Sequence, residues 1–314
     1  MSQPKRHHYV PQMLLREWAD ELGGEHIWVM DRVARNKPRR AHIKDAMVVS
    51  QYYTLGRERP TKADALWVEE LMADWEDSAA RKAIPLLKAI PSKRHSAIVP
   101  WLLFQLLRTP RGQGQLADDL VHTLRSAAED PGGLIPFWTD RKGRRPNPDE
   151  AVALAIATAE IRAGMAHPLT EPKTTNLVNH MIAVATYGNL GQQLVNDGEW
   201  ATLHTDPGSF IISDHPVTYR GLHNPARPVW RQRDLPTQLT IPIAHDVCLE
   251  IRGEPRRIRF DHDEVDQINL RAWHWSDRWV AGNSPEALDH LAELADQLEC
   301  RTPPPTSNAS PRRR

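Results

Sequence analysis

The sequence predicts an α+β fold, mainly helical, with a small antiparallel sheet formed by an N-terminal hairpin and by strands after residue 200. Three observations carry this. The first half of the chain repeats apolar residues at helical spacing, as in Trp67, Leu71, Trp75, Ala79, Ala83 and Leu87. From Trp200 onward the pattern changes to short apolar and β-branched runs bounded by Asp, Pro and Gly. With 314 residues at 40% hydrophobic, the chain can bury a substantial core. The expected organisation is one α+β domain over residues 1–300 and a disordered Pro/Arg-rich tail over 301–314.

Taken in order, residues 13–19 form a short helix with Leu14, Leu15 and Trp18 on one side, stopping before Gly23-Gly24. Residues 25–32 alternate as a strand, Arg35-Asn36-Lys37-Pro38 turns the chain, and 39–53 returns as strand material. The basic residues crowding this hairpin, Arg32 to Lys44, are read as a solvated tip before a phosphate patch. Thr61, with Asp64 three residues on, caps a helix that ends at Ile90-Pro91. Residues 101–107 are apolar almost all round, which places that segment centrally. Further helices are expected over 113–129, 149–162 and 174–195. Strands follow at 201–205 and 209–213, joined by Asp206-Pro207-Gly208, then at 238–243, 247–252 and 258–260. A helix over 263–275, a strand over 279–281 and a helix over 285–298, capped by Ser284 with Pro285 first, complete the domain.

Composition narrows the function classes. Lys plus Arg and Asp plus Glu both number 40, so the formal net charge is +0. A nucleic-acid partner is therefore not favoured and would need a local basic patch. Cys248 and Cys300 form no CxxC pair, which excludes cysteine-type structural zinc. No segment approaches the roughly 20 apolar residues of a membrane span, and the N-terminus lacks an apolar signal-peptide run. A cytoplasmic protein without a membrane partner is expected.

The stretch richest in chemistry is His7-His8-Tyr9-Val10-Pro11-Gln12, with Arg16 one turn beyond it. Adjacent imidazoles can ligate a metal or move a proton near neutral pH. In an extended segment they point to opposite faces, so one faces inward and the other braces a neighbour. Arg108 emerges where the central apolar run breaks at Thr109-Pro110, placed to grip a carboxylate or phosphate, or a structural acid. Asp214-His215-Pro216 follows the buried run Phe210-Ile211-Ile212, at the end of a strand where sites often form. His180 and Asn269 each border an apolar helix face and need partners there.

The hexapeptide resembles the opening of a bacterial family catalogued as domain of unknown function 4238. The likeness extends to Leu106-Leu107-Arg108-Thr109-Pro110, to Ile212-Ser213-Asp214-His215-Pro216-Val217 and to Asn269. Position 215 departs from the family, where Asn is frequent; His still donates a hydrogen bond there. The resemblance implies a shared fold and a shared site, and brings no activity with it.

Two function classes fit these residues. In the first, a metal- or histidine-dependent hydrolase acts on a phosphate-containing or other anionic substrate. His7, His8, Asp214 and Arg108 are then catalytic, with His8 and Asp214 holding a divalent metal, and Gln12, Arg16, His180, His215 and Asn269 contact substrate. A nuclease of the HNH type fits poorly, because Asn36 and His42 fall on the hairpin instead of the strand-to-helix positions that motif needs. In the second class, the same cluster is a binding or sensor module for a small anionic ligand. A purely structural role, with the hexapeptide pinning the N-terminus to the sheet, is the remaining reading.

Overall fold

The computed structural model describes residues 6–20, 24–50, 73–90, 96–112, 114–116, 118, 147–148, 189–206, 208–222, 229–232, 234–253 and 262–301. The helix expected over 149–162, most of those over 113–129 and 174–195 with His180, the strand at 258–260 and the tail from 302 lie outside these residues.

The α+β class holds, with antiparallel strands in more than one layer. Strand β1 (Arg6–His8) pairs with β4 (Val48–Ser50), so that His8 lies opposite Val48. The hairpin β2 (His26–Asp31) and β3 (Arg39–His42) joins β10 (Trp279–Gly282) and β6 (Ile212–Ser213) in the order β3-β2-β10-β6. This is the sheet the sequence predicts, built from both ends of the chain. The other late strands, β5 (Glu199–His204), β7 (Thr218–Arg220), β8 (Gln238–Ala244) and β9 (Val247–Arg252), form a second four-stranded sheet in the order β5-β9-β8-β7.

Residues 201–205 and 209–213 are consequently not partners. β5 pairs with β9 and β6 with β10, and the chain between them crosses from one sheet to the other. Gly208, at φ +87, makes the turn of this crossing, where a side chain would strain the backbone. Phe210 N–H then donates to the His245 carbonyl at 2.9 Å on the second sheet. The expected 39–53 strand likewise breaks, into β3, a 3-10 turn at Ile43–Asp45 and β4.

Helix α1 (Gln12–Leu15) starts at Pro11, whose carbonyl accepts from the Leu14 and Leu15 amides at 3.0 Å. Leu14, Leu15 and Trp18 are buried, and the Trp18 indole N–H donates to the Phe210 carbonyl at 2.8 Å. A π turn at Ala79–Ala83 leads into α2 (Ile84–Ala89). Every residue of α3 (Val99–Leu107) except Pro100 is buried, Gln105 included, as the all-round apolar pattern requires. After α4 (Asn189–Asn196), the late helices are α5 (His262–Trp275) and α6 (Pro285–Arg301). α6 packs on β2 and β10, while α5 contacts β6, β7 and α6.

Alternation divides the second sheet. Leu239, Ile241, Leu249 and Ile251 enter the main core. The opposite face carries Thr218, Gln238, Thr240, Cys248 and Glu250, all buried, because α5 lies over it with Val265 and Ile268 against Cys248. No helix among the described residues is long and apolar enough to cross a membrane.

Candidate functional site

The three sequence blocks that single themselves out along the chain meet in space. From the first, β1 brings His8 to the end of α3, where the Arg108 guanidinium donates through Nη2 to the His8 carbonyl. Arg108 Nη1 donates to Glu76 Oε1 at 2.5 Å, and its guanidinium carbon lies 5.0 Å from the centroid of the Phe104 ring. The Arg108 side chain is only 4% exposed, against 27% for Glu76. This arginine emerges at a helix end as expected, but its donors hold the N-terminal strand and a structural acid.

Gln12 and Arg16 fill comparable roles. The Gln12 amide nitrogen lies 3.0 Å from His8 Nε2. With the amide donating, Nε2 accepts and the ring proton sits on Nδ1. Arg16 Nη2 donates to Gln12 Oε1 at 3.4 Å at an exposed position. The His8–Gln12–Arg16 relay leads from β1 to the start of α1 and on to the 3-10 turn that follows it, and each side chain orients the one before it. His7 pairs with Val49 in β1; its side chain lies outside the described residues.

The second and third blocks meet through Thr109 and His215. Thr109 Oγ1 lies 2.5 Å from His215 Nδ1 and accepts from the Gly112 amide at 3.2 Å. Both side chains are fully buried. Burial, with the nearby Arg111 charge, pushes the His215 imidazole down to about 3, so the ring is neutral at physiological pH. Its Nε2 is buried with no hydrogen-bond partner. The ring stacks on Trp275 at 5.3 Å, and Trp275 meets Tyr219 edge-on at 4.3 Å. Arg111 sits over the same indole, 5.2 Å from its centroid, and makes no ion pair among the described residues.

Asp214 turns inward onto the backbone. Its Oδ1 accepts from the Asp277 amide at 2.8 Å, and its Oδ2 from the Arg278 and Trp279 amides at 2.7 and 2.8 Å. These bonds fix the 277–279 turn to the end of β6, and Asp277 Oδ2 accepts from the Arg111 amide at 2.9 Å. Burial pushes the Asp214 carboxyl up to about 6, against the opposing pull of the three amides. The Tyr9 phenol stands near this carboxylate, and burial together with Asp214 and Asp277 raises it above the usual range. The hexapeptide thus reaches Asp214 through Tyr9.

Asn269 is not part of this cluster. Its Oδ1 accepts from the Ile211 amide at 3.0 Å and its Nδ2 donates to the Ser209 carbonyl at 2.7 Å, clamping the crossing strand that leads to Asp214. It also borders a half-open cavity of about 380 Å³ between α5 and α6, with Asp266 and His290 on its walls.

The expected metal pair finds no support in the donor set. Among the described residues no group of three or more His, Cys, Asp and Glu side chains is placed to hold a metal ion. The Asp214 oxygens already accept three amides, and His8 Nε2 takes the Gln12 amide. The residues that sequence reasoning missed are Arg111, Tyr219 and Trp275. Arg111 lies only three positions past Arg108, but no local pattern tells which arginine is left free. Tyr219 and Trp275 read as core aromatics.

This chain belongs to the family described as protein of unknown function (DUF4238), whose family profile matches residues 6–286. No curated protein and no solved structure matches it.

Proposed function

We propose that this member of the family is a binding or sensor module for a small anionic ligand, recognised beside Arg111, Tyr219 and Trp275. The carrying observation is the Arg111 guanidinium, which lies over the Trp275 indole and makes no ion pair among the described residues. A cation over an aromatic face, next to a phenol, suits an oxyanion on a small apolar or planar body. Arg108, Thr109, Asp214 and Gln12 act as positioning residues for this group. The test is calorimetric titration with phenyl phosphate. Saturable binding, weakened at least tenfold by Arg111→Met with the melting temperature unchanged, supports the reading. Equal affinity in the variant, or no binding by the parent chain, sinks it.

A hydrolase is the second reading, favoured by the contact between the Thr109 hydroxyl and His215 Nδ1, the alcohol–imidazole pair of nucleophilic catalysis. Two observations weigh against it. An imidazole at about 3 is a weak base where catalysis wants a value near the working pH. Both side chains are also sealed from solvent. Release of nitrophenol from p-nitrophenyl phosphate, abolished by Thr109→Val in a folded protein, would restore this reading.

A further inference from the structure

We infer that the edge of the second sheet carries a separate oxyanion site, in which Arg271 grips two oxygens of one phosphate group and Arg220 at the rim adds a second positive charge. Arg271 projects from α5, four residues before Trp275, on the helix that covers the polar face of β7, β8 and β9. Its Nε and Nη2 are both buried and both lack a hydrogen-bond partner. These two N–H groups lie parallel along one edge of the guanidinium, the edge that meets phosphate or carboxylate oxygens in bidentate pairs. Buried donors in a folded protein are almost always bonded, so an empty parallel pair marks where a partner docks.

The neighbouring acids do not fill the place. Glu250 accepts from the Gln238 amide and lies 2.8 Å from Arg252 Nη2. Glu264 Oε1 accepts from Gln238 Nε2 at 3.2 Å and from Arg252 Nη2 at 3.0 Å. Arg220 stands directly across from Gln238, so its side chain leaves the sheet on this same face. It is exposed, and β7 is the edge strand of its sheet, so Arg220 stands on the solvent side of this face. Burial and the like charge of Arg220 push Arg271 down to about 10, the direction expected of a cation that lacks its counter-ion. Arg220, Arg252 and Arg271 against Glu250 and Glu264 leave an excess of one positive charge, which an anion neutralises. Two guanidinium groups favour doubly charged phosphate over a singly charged carboxylate.

The test is titration of the full chain with inorganic phosphate at constant ionic strength, followed by calorimetry, with acetate as the competing probe. One saturable phosphate site is expected. Arg271→Lys keeps the charge but not the parallel donors, and weakens that site at least tenfold; Arg220→Ala, at an exposed position, weakens it severalfold. Arg111→Met leaves it unchanged, which separates this site from the one beside Trp275. Absence of saturable phosphate binding, affinity unaltered in Arg220→Ala, or tighter binding of acetate than of phosphate overturns the inference. Should Arg271→Lys fail to fold, the Arg220→Ala result decides.

Discussion

Replacing Arg108 by Met tests whether this arginine is architecture or ligand contact. The substitution removes a donor to Glu76 and a donor to the His8 carbonyl while roughly filling the same space. A hydrogen bond to a charged group contributes about 1.5–3 kcal/mol, and a buried carbonyl left without its donor costs about 1–3 kcal/mol. Glu76 is 27% exposed and the bond to the His8 carbonyl is only partly buried, so water recovers part of both losses, and the lower half of each range applies. The expected destabilisation is about 3 kcal/mol for Arg108→Met. For Arg108→Lys it is about 1–2 kcal/mol, because one ammonium can serve one partner but not both in fork geometry. The assay is urea unfolding of the parent chain, Arg108→Met, Glu76→Gln and the double variant. A coupling of about 1–2 kcal/mol between the two positions is expected. If Arg108→Met leaves the midpoint unchanged, or the cycle is additive within about 0.3 kcal/mol, then Arg108 is not holding β1 against α3.

The remaining predictions concern pH and the crossing strand. His215 is depressed in the fold, from 6.5 to about 3, so its contribution is fully present above pH 6.5 and is lost as pH falls toward 3. Asp214 is raised, from 3.8 to about 6, so protonation favours the fold and stability rises as pH falls from 6 to 4. The two therefore oppose each other, and His215→Gln should gain stability relative to the parent as pH drops from 6.5 to 4.5, by up to roughly 3 kcal/mol on linkage; parallel midpoint-against-pH curves for the two proteins would refute the assignment of a buried neutral imidazole. Asn269→Asp places a second acceptor against the Ser209 carbonyl in place of a donor. A loss of about 2–3 kcal/mol in thermal or urea unfolding is expected, with phenyl phosphate affinity unchanged; a variant of parental stability would show that the clamp does not hold the strand.

By itself the sequence determined the local elements and the blocks that matter. The N-terminal hairpin, the all-round burial of α3, the extent of α5 and the cap of α6 follow from apolar period and turn chemistry, which act within a few residues. The place of Arg16 one turn beyond Gln12 was visible in the same way. The hexapeptide meets Arg108 through the His8 carbonyl and comes near Asp214 through Tyr9, contacts other than the single pocket of ionisable side chains that the blocks suggested. What only the tertiary structure decided is which charges are already satisfied. Arg108 and Arg111 look alike in sequence, and a partner 100 residues away, the His8 carbonyl, separates them. Asp214 reads as a free carboxylate until the 277–279 amides close on it from more than 60 residues away. The alternating polar residues of β8 and β9 are compatible equally with water or with a covering helix. Packing α5 onto them is what turns a solvated face into a buried charged layer, with Arg271 left without a partner inside it.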